Sequence, residues 1–210
     1  DSFRGCMIHL AQTLCVTIPS RSDCLAQSET RLDTYLGMSL FPRVVVDARG
    51  RQTTKCPTSR EEQVLDGMYE RATLKMSVCS QIIIRPLLER AFHRFCPEPT
   101  EIFRLVLGPL IPVHQRRQWF YALLLGLQGH YEVAGPLLAP LIENMLRELI
   151  ELKGGLVSTV DDYQIQDVLS LDVLLRNHEL ILRQALGEDL FFTLTTAFHR
   201  AGWNYRNRTA

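Results

Sequence analysis

Arg206-Asn207-Arg208, within Trp203-Asn204-Tyr205-Arg206-Asn207-Arg208-Thr209-Ala210, is the strongest candidate for chemistry in this chain. A guanidinium is a planar, permanently charged fork that can hold a phosphate at two points. The adjacent Asn207 adds an amide donor and acceptor. A turn at a helix start adds backbone N–H groups aimed at an anion. The competing reading of the same three residues is a solvated basic tail. His199 lies one short turn before Trp203 and would reach a phosphate held near Arg206.

A second pair sits upstream. Glu143 and Arg147 stand four residues apart in Leu141-Ile142-Glu143-Asn144-Met145-Leu146-Arg147-Glu148-Leu149. Glu before Arg is the favourable order for a helical ion pair. Their neighbours are apolar, so the charges border a core-facing stripe. The plain alternative is a structural pair on a helix flank. His9, His93, His114, His130 and His178 are scattered and read as surface or capping residues. No His-Glu-x-x-His, Cys-x-x-Cys, G-x-S-x-G or phosphate-binding glycine loop is present, so neither a metal site nor a cofactor is expected. Asp161-Asp162 reads as a helix cap rather than a catalytic carboxylate pair.

Composition narrows the function classes. Apolar residues make up 46% and charged residues 22%, which suits a folded domain and argues against disorder. Basic and acidic residues balance at 23 each, so a nucleic-acid partner would have to meet a local basic patch. Six cysteines lie in the first half without metal-ligand spacing, and reduced, cytosolic thiols are the simpler reading. No stretch reaches the roughly 18 apolar residues of a membrane span. The N-terminus lacks signal-peptide anatomy, and both ends are expected to be trimmed from a longer protein.

The elements that must position these residues are mostly helical. Helical spacing covers residues 3–18 and 22–38. Residues 42–57 differ: Val44-Val45-Val46, the Ala48-Arg49-Gly50 turn and a returning segment predict a β-hairpin. Ser59 with Glu62 forms a capping box for a long helix over 60–94, with a kink or break near Ile84 caused by Pro86. Further helices are expected from the Pro97-Glu98-Pro99-Thr100 opening through Leu107, from Pro112 to Leu127, and from Tyr131 to Lys153. Asp161-Asp162 cap the next, through Leu175. Asn177 and His178 interrupt, a short helix runs to Leu186, and Gly187-Glu188-Asp189 begins the last, amphipathic from Leu190 to His199. The fold class is mainly α: a C-terminal helical bundle, an N-terminal helical layer and one small hairpin. The segments are 1–40 (N-terminal helices), 41–111 (hairpin and long helices) and 112–210 (bundle).

Several stretches then form a set. They are Leu40-Phe41-Pro42-Arg43, Pro112-Val113-His114-Gln115-Arg116-Arg117, Gly126-Leu127-Gln128-Gly129-His130, Leu141 to Arg147, Leu186-Gly187-Glu188-Asp189-Leu190 and Tyr205 to Ala210. Together they resemble a domain family of unknown function within the HEPN (higher-eukaryote and prokaryote nucleotide-binding) superfamily, related to the domain of ER-membrane-associated RNA degradation proteins. The resemblance covers roughly residues 40–210. The superfamily motif is Arg, a polar residue, three variable residues and His. Arg206 and Asn207 match its first two positions, and its His would fall just after Ala210.

The resemblance implies a HEPN-like bundle that cleaves RNA without metal. Two motifs would face each other across a symmetric homodimer. The His would act as general acid or base, and Arg206 would stabilise charge on the phosphoryl oxygens. Asn207 would share the catalytic role. Arg208, His199, Glu143 and Arg147 would support it. A cytoplasmic location and a part in defence or stress go with that reading. The alternative is a non-catalytic HEPN-like module for dimerisation or for binding RNA or nucleotide; a pure protein-interaction domain is a third. The residue that follows Ala210 in the longer protein is expected to be His. Sequencing the next codon checks this, and any other residue favours the non-catalytic reading.

Overall fold

A computed structural model describes residues 2–35, 57–160 and 166–198. The fold is mainly α. Its helices are α1 (Phe3–Leu14), α2 (Arg21–Thr34), α3 (Arg60–Cys79), α4 (Arg85–Phe95), α5 (Pro99–Leu105), α6 (Arg116–Leu127) and α7 (Tyr131–Leu152). Strands β1 (Ser158–Val160) and β2 (Gln166–Val168) follow, then α8 (Leu171–Asn177), α9 (Glu179–Leu186) and α10 (Glu188–Phe198). The hairpin expected over 42–57 falls almost wholly outside the described residues.

Local chemistry explains most boundaries. Ser59 Oγ accepts from the Glu62 N–H at 3.1 Å, and Glu62 reaches back to the Ser59 N–H at 3.3 Å, so the expected capping box starts α3. Near Pro86, α-helical bonding gives way to a π-helical segment, Ser80–Ile84, and α4 begins at Arg85. Proline lacks the N–H that a regular i to i−4 bond needs. Pro136 and Pro140 both sit inside α7, yet the helix runs unbroken. The burial of Ala134, Ala139, Leu141, Leu146 and Ile150 along α7 offsets the missing bonds.

One expectation is corrected. The sequence predicts a helix capped by Asp161-Asp162 and running through Leu175. Ser158–Val160 and Gln166–Val168 instead pair as antiparallel strands, with Ser158 opposite Val168 and Val160 opposite Gln166. The helix starts ten residues later at Leu171, with Ser170 in the extended N-cap conformation. Val157, Thr159, Val160 and Val168 are β-branched residues, which favour extended backbone over a helix start.

The described chain forms two compact units. One takes residues 2–16, 81–160 and 166–185; the other takes 17–35, 57–80 and 186–198. Each is built from separated pieces, and the described N-terminal residues 2–35 contribute to both. In the first unit, Val106, Trp119, Ala122 and Leu141 form one buried cluster, and Phe3, Ile102 and Leu127 form another. The second unit packs α2, α3 and α10 around Cys24, Met68, Tyr69, Ala72 and Phe192. Gly67 lets α2 and α3 come close: a Cβ there would lie 3.2 Å from Ser28 Oγ. Burial pushes the Cys24 thiol above its usual pKa, so this cysteine behaves as a small apolar residue. The five described cysteines are all free thiols. Among the described residues, no helix is long and apolar enough to cross a membrane.

The Tyr69 and Phe192 rings stack at 6.0 Å between centroids with 17° between planes. Phe192 is 5% exposed, so Phe192→Ala removes buried apolar surface and leaves a cavity. The expected loss is about 3–5 kcal/mol of unfolding free energy. Urea denaturation followed by circular dichroism measures it; a loss below about 1 kcal/mol would mean the ring is not packed as described.

Candidate functional site

Of the six residues nominated from the sequence, Glu143 and Arg147 fall within the described residues. His199, Arg206, Asn207 and Arg208 lie outside them. The site that can be built from side chains therefore centres on α7.

The inner face of α7 carries Ala139, Glu143, Leu146 and Ile150, all buried. Their spacing of three and four residues puts Glu143 in line with core side chains. Arg147 lies one turn beyond it. Side-chain exposure is 12% for Glu143 and 17% for Arg147, so the pair is largely removed from water. Arg147 Nη2 donates to Glu143 Oε1, making the expected i, i+4 ion pair. The same nitrogen donates to the Leu169 carbonyl at 2.9 Å, and Nη1 donates to Asn144 Oδ1 at 2.8 Å. Nε is buried without a hydrogen-bond partner.

Leu169 follows β2 directly and donates its N–H to the Val157 carbonyl at 2.9 Å. Arg147 thus ties the end of the strand pair, just before α8, to α7. A second tie runs alongside: His178 Nε2 lies 2.7 Å from the Leu156 carbonyl oxygen. The turn between has no room for a side chain. A Cβ on Gly155 would overlap Ile150 Cγ2 and lie 3.2 Å from His178 Nδ1. Gly154, at φ +81°, closes the end of α7 in the left-handed region.

This geometry decides what the pair can do. The guanidinium fork is spent on a carboxylate, an amide and a carbonyl of its own chain, and Glu143 balances its charge. Holding a phosphate would break those bonds and expose Glu143 to the anion. The arrangement positions backbone, as the plain reading of the pair anticipates. Sequence spacing revealed the pair itself. It could not reveal the Leu169 carbonyl, which is 22 residues away in the chain.

Among the described residues, no group of three or more His, Cys, Asp or Glu side chains could hold a metal ion. Compared with known proteins, the chain matches no protein-family model, no curated protein and no solved structure.

Arg147→Ala removes the ion-pair partner of a nearly buried carboxylate and releases the Leu169 carbonyl. The expected cost is about 2–3 kcal/mol, below that of a fully buried pair because both partners keep some solvent contact. Glu143→Gln retains an acceptor for Arg147 and is expected to cost about 1 kcal/mol. Urea denaturation of the two variants checks the order; equal stability of Arg147→Ala and wild type would remove the anchoring role.

Proposed function

We propose that this chain is a HEPN-like helical domain acting on RNA as a metal-independent endoribonuclease. The observation that carries the reading is Arg206-Asn207, which matches the first two positions of an Arg-polar-x-x-x-His motif. The segment follows α10, a helix anchored by buried Phe191, Phe192, Thr196 and Phe198. The Arg21 N–H donates to Asp189 Oδ1 at 2.8 Å, which ties the start of α10 to the start of α2.

In the proposed reaction, a general base takes the proton of a ribose 2′-hydroxyl. The oxygen attacks the adjacent phosphorus, and the bond to the 5′-oxygen breaks. The leaving oxygen takes a proton, leaving a cyclic phosphate and a free 5′-hydroxyl. The motif histidine would move these protons. Arg206 would hold the non-bridging oxygens as their charge grows, and Asn207 would orient the phosphate. Arg208 and His199 would support the same anion. Glu143 and Arg147 would serve by holding architecture, not by touching substrate. The active form would be a homodimer with paired motifs, in the cytoplasm.

A second reading, a non-catalytic helical module for dimerisation or for binding RNA or nucleotide, draws on one specific observation. Both nominated residues that the structure describes are committed to internal bonds.

The protein extended through the motif, incubated with mixed RNA in EDTA, is expected to cleave it. Arg206→Ala should lower the rate by about 10²-fold or more, as loss of a charge-stabilising group does, with an unchanged circular dichroism spectrum. Cleavage that survives the substitution, or that requires added metal, refutes the mechanism. RNA binding without cleavage supports the module.

A further inference from the structure

α1 and α4 enclose a cleft of about 510 Å³. Organic ligands typically occupy sites of about 300–1,000 Å³. Leu10, Leu87 and Phe95 supply apolar lining. Arg90 and Arg94 of α4 bring two cations to the lining, His9 comes from α1, and among the described residues no Asp or Glu lines the cleft.

Three other helical arginines of this chain are answered by a glutamate of their own helix. Arg85 pairs with Glu89, Arg147 with Glu143 and Arg183 with Glu179, each at i, i+4. Arg90 has Arg94 at that spacing instead, and like charges so placed repel. Among the described residues, neither Arg90 nor Arg94 has a carboxylate partner. Arg94 lies in the last turn of α4, where a cation complements the helix dipole. Arg90, one turn earlier, has no such compensation.

We propose that this cleft binds an organic anion with an apolar body, an alkyl or aryl carboxylate or phosphate monoester. The body lies against Leu10, Leu87 and Phe95. The oxyanion sits between Arg90 and Arg94, with His9 facing it from α1. Residues four apart rise about 6 Å along a helix and share one face, so two arginines so placed can converge on a single oxyanion. A nucleic-acid strand would call for a row of cations following successive phosphates. This site is independent of the proposed RNA chemistry.

The test is isothermal titration calorimetry of the chain with decanoate and with decyl phosphate, both below micelle formation. Decyltrimethylammonium and inorganic phosphate are the controls. The expected result is saturable binding at a single site for at least one anion, and the stronger arm identifies the head group. The double variant Arg90→Ala/Arg94→Ala should weaken that binding about tenfold or more, because charge-assisted bonds are lost. Both side chains are exposed, so its urea midpoint should match wild type. Leu10→Trp, which fills the apolar floor, should also weaken binding and serves as the second variant. The proposal fails if neither anion saturates, if decyltrimethylammonium binds as tightly, or if the double variant keeps full affinity. Displacement of decyl phosphate by an oligoribonucleotide would also overturn it, by assigning the cleft to nucleic acid.

Discussion

A guanidinium removed from water must find acceptors, and a carboxylate beside it must find donors. In this protein that constraint is met at Arg147, on the inner face of α7. Its fork collects Glu143, Asn144 and the Leu169 carbonyl. The first two belong to the same helix and cost little to bring together. The third fixes where the chain goes after β2. With it, the turn after α7, the strand pair and the start of α8 acquire set positions. Gly155 permits the close approach that this path requires, and the His178–Leu156 contact closes it from the other side.

The second unit answers a different constraint. α2, α3 and α10 share a small apolar centre, and the Tyr69–Phe192 stack fills much of it. Polar ties sit at its edges. Lys75 Nζ donates to the Ile18 carbonyl at 2.8 Å, and Arg31 pairs with Glu70 at 3.1 Å. These edge contacts keep partial exposure, so the apolar centre carries more of the stability than they do. α10 is held along its length, which matters for the functional reading because the Arg206 segment follows it.

Charge placement separates two kinds of arginine. Arg85, Arg147 and Arg183 each carry their own glutamate at helical spacing, and their charge is answered within the chain. Arg90 and Arg94 have no carboxylate partner among the described residues and line a cleft, with Arg94 lying 5.7 Å from the Phe95 ring centroid. A chain with no net charge can still present a cationic surface in this way, because pairing is local and the sum is global.

Residue patterns alone determined a good deal. Helical spacing, the Ser59–Glu62 box, the prolines near residues 86, 99 and 112, and the glycines at 129, 154 and 187 located the helices, because these are short-range effects that act in any context. The Glu143–Arg147 pair was legible for the same reason. Other features depended on residues far apart in the chain. The pairing of 158–160 with 166–168 displaced the helix start expected at Asp161, because strand bonds formed by neighbours outweigh a local capping preference. The Leu169 carbonyl on Arg147 and the shared lining of α1 and α4 likewise arise only when distant segments pack. Spacing reports what one element can do. Whether a charge is spent on the fold or left for a ligand is decided by what the rest of the chain brings beside it.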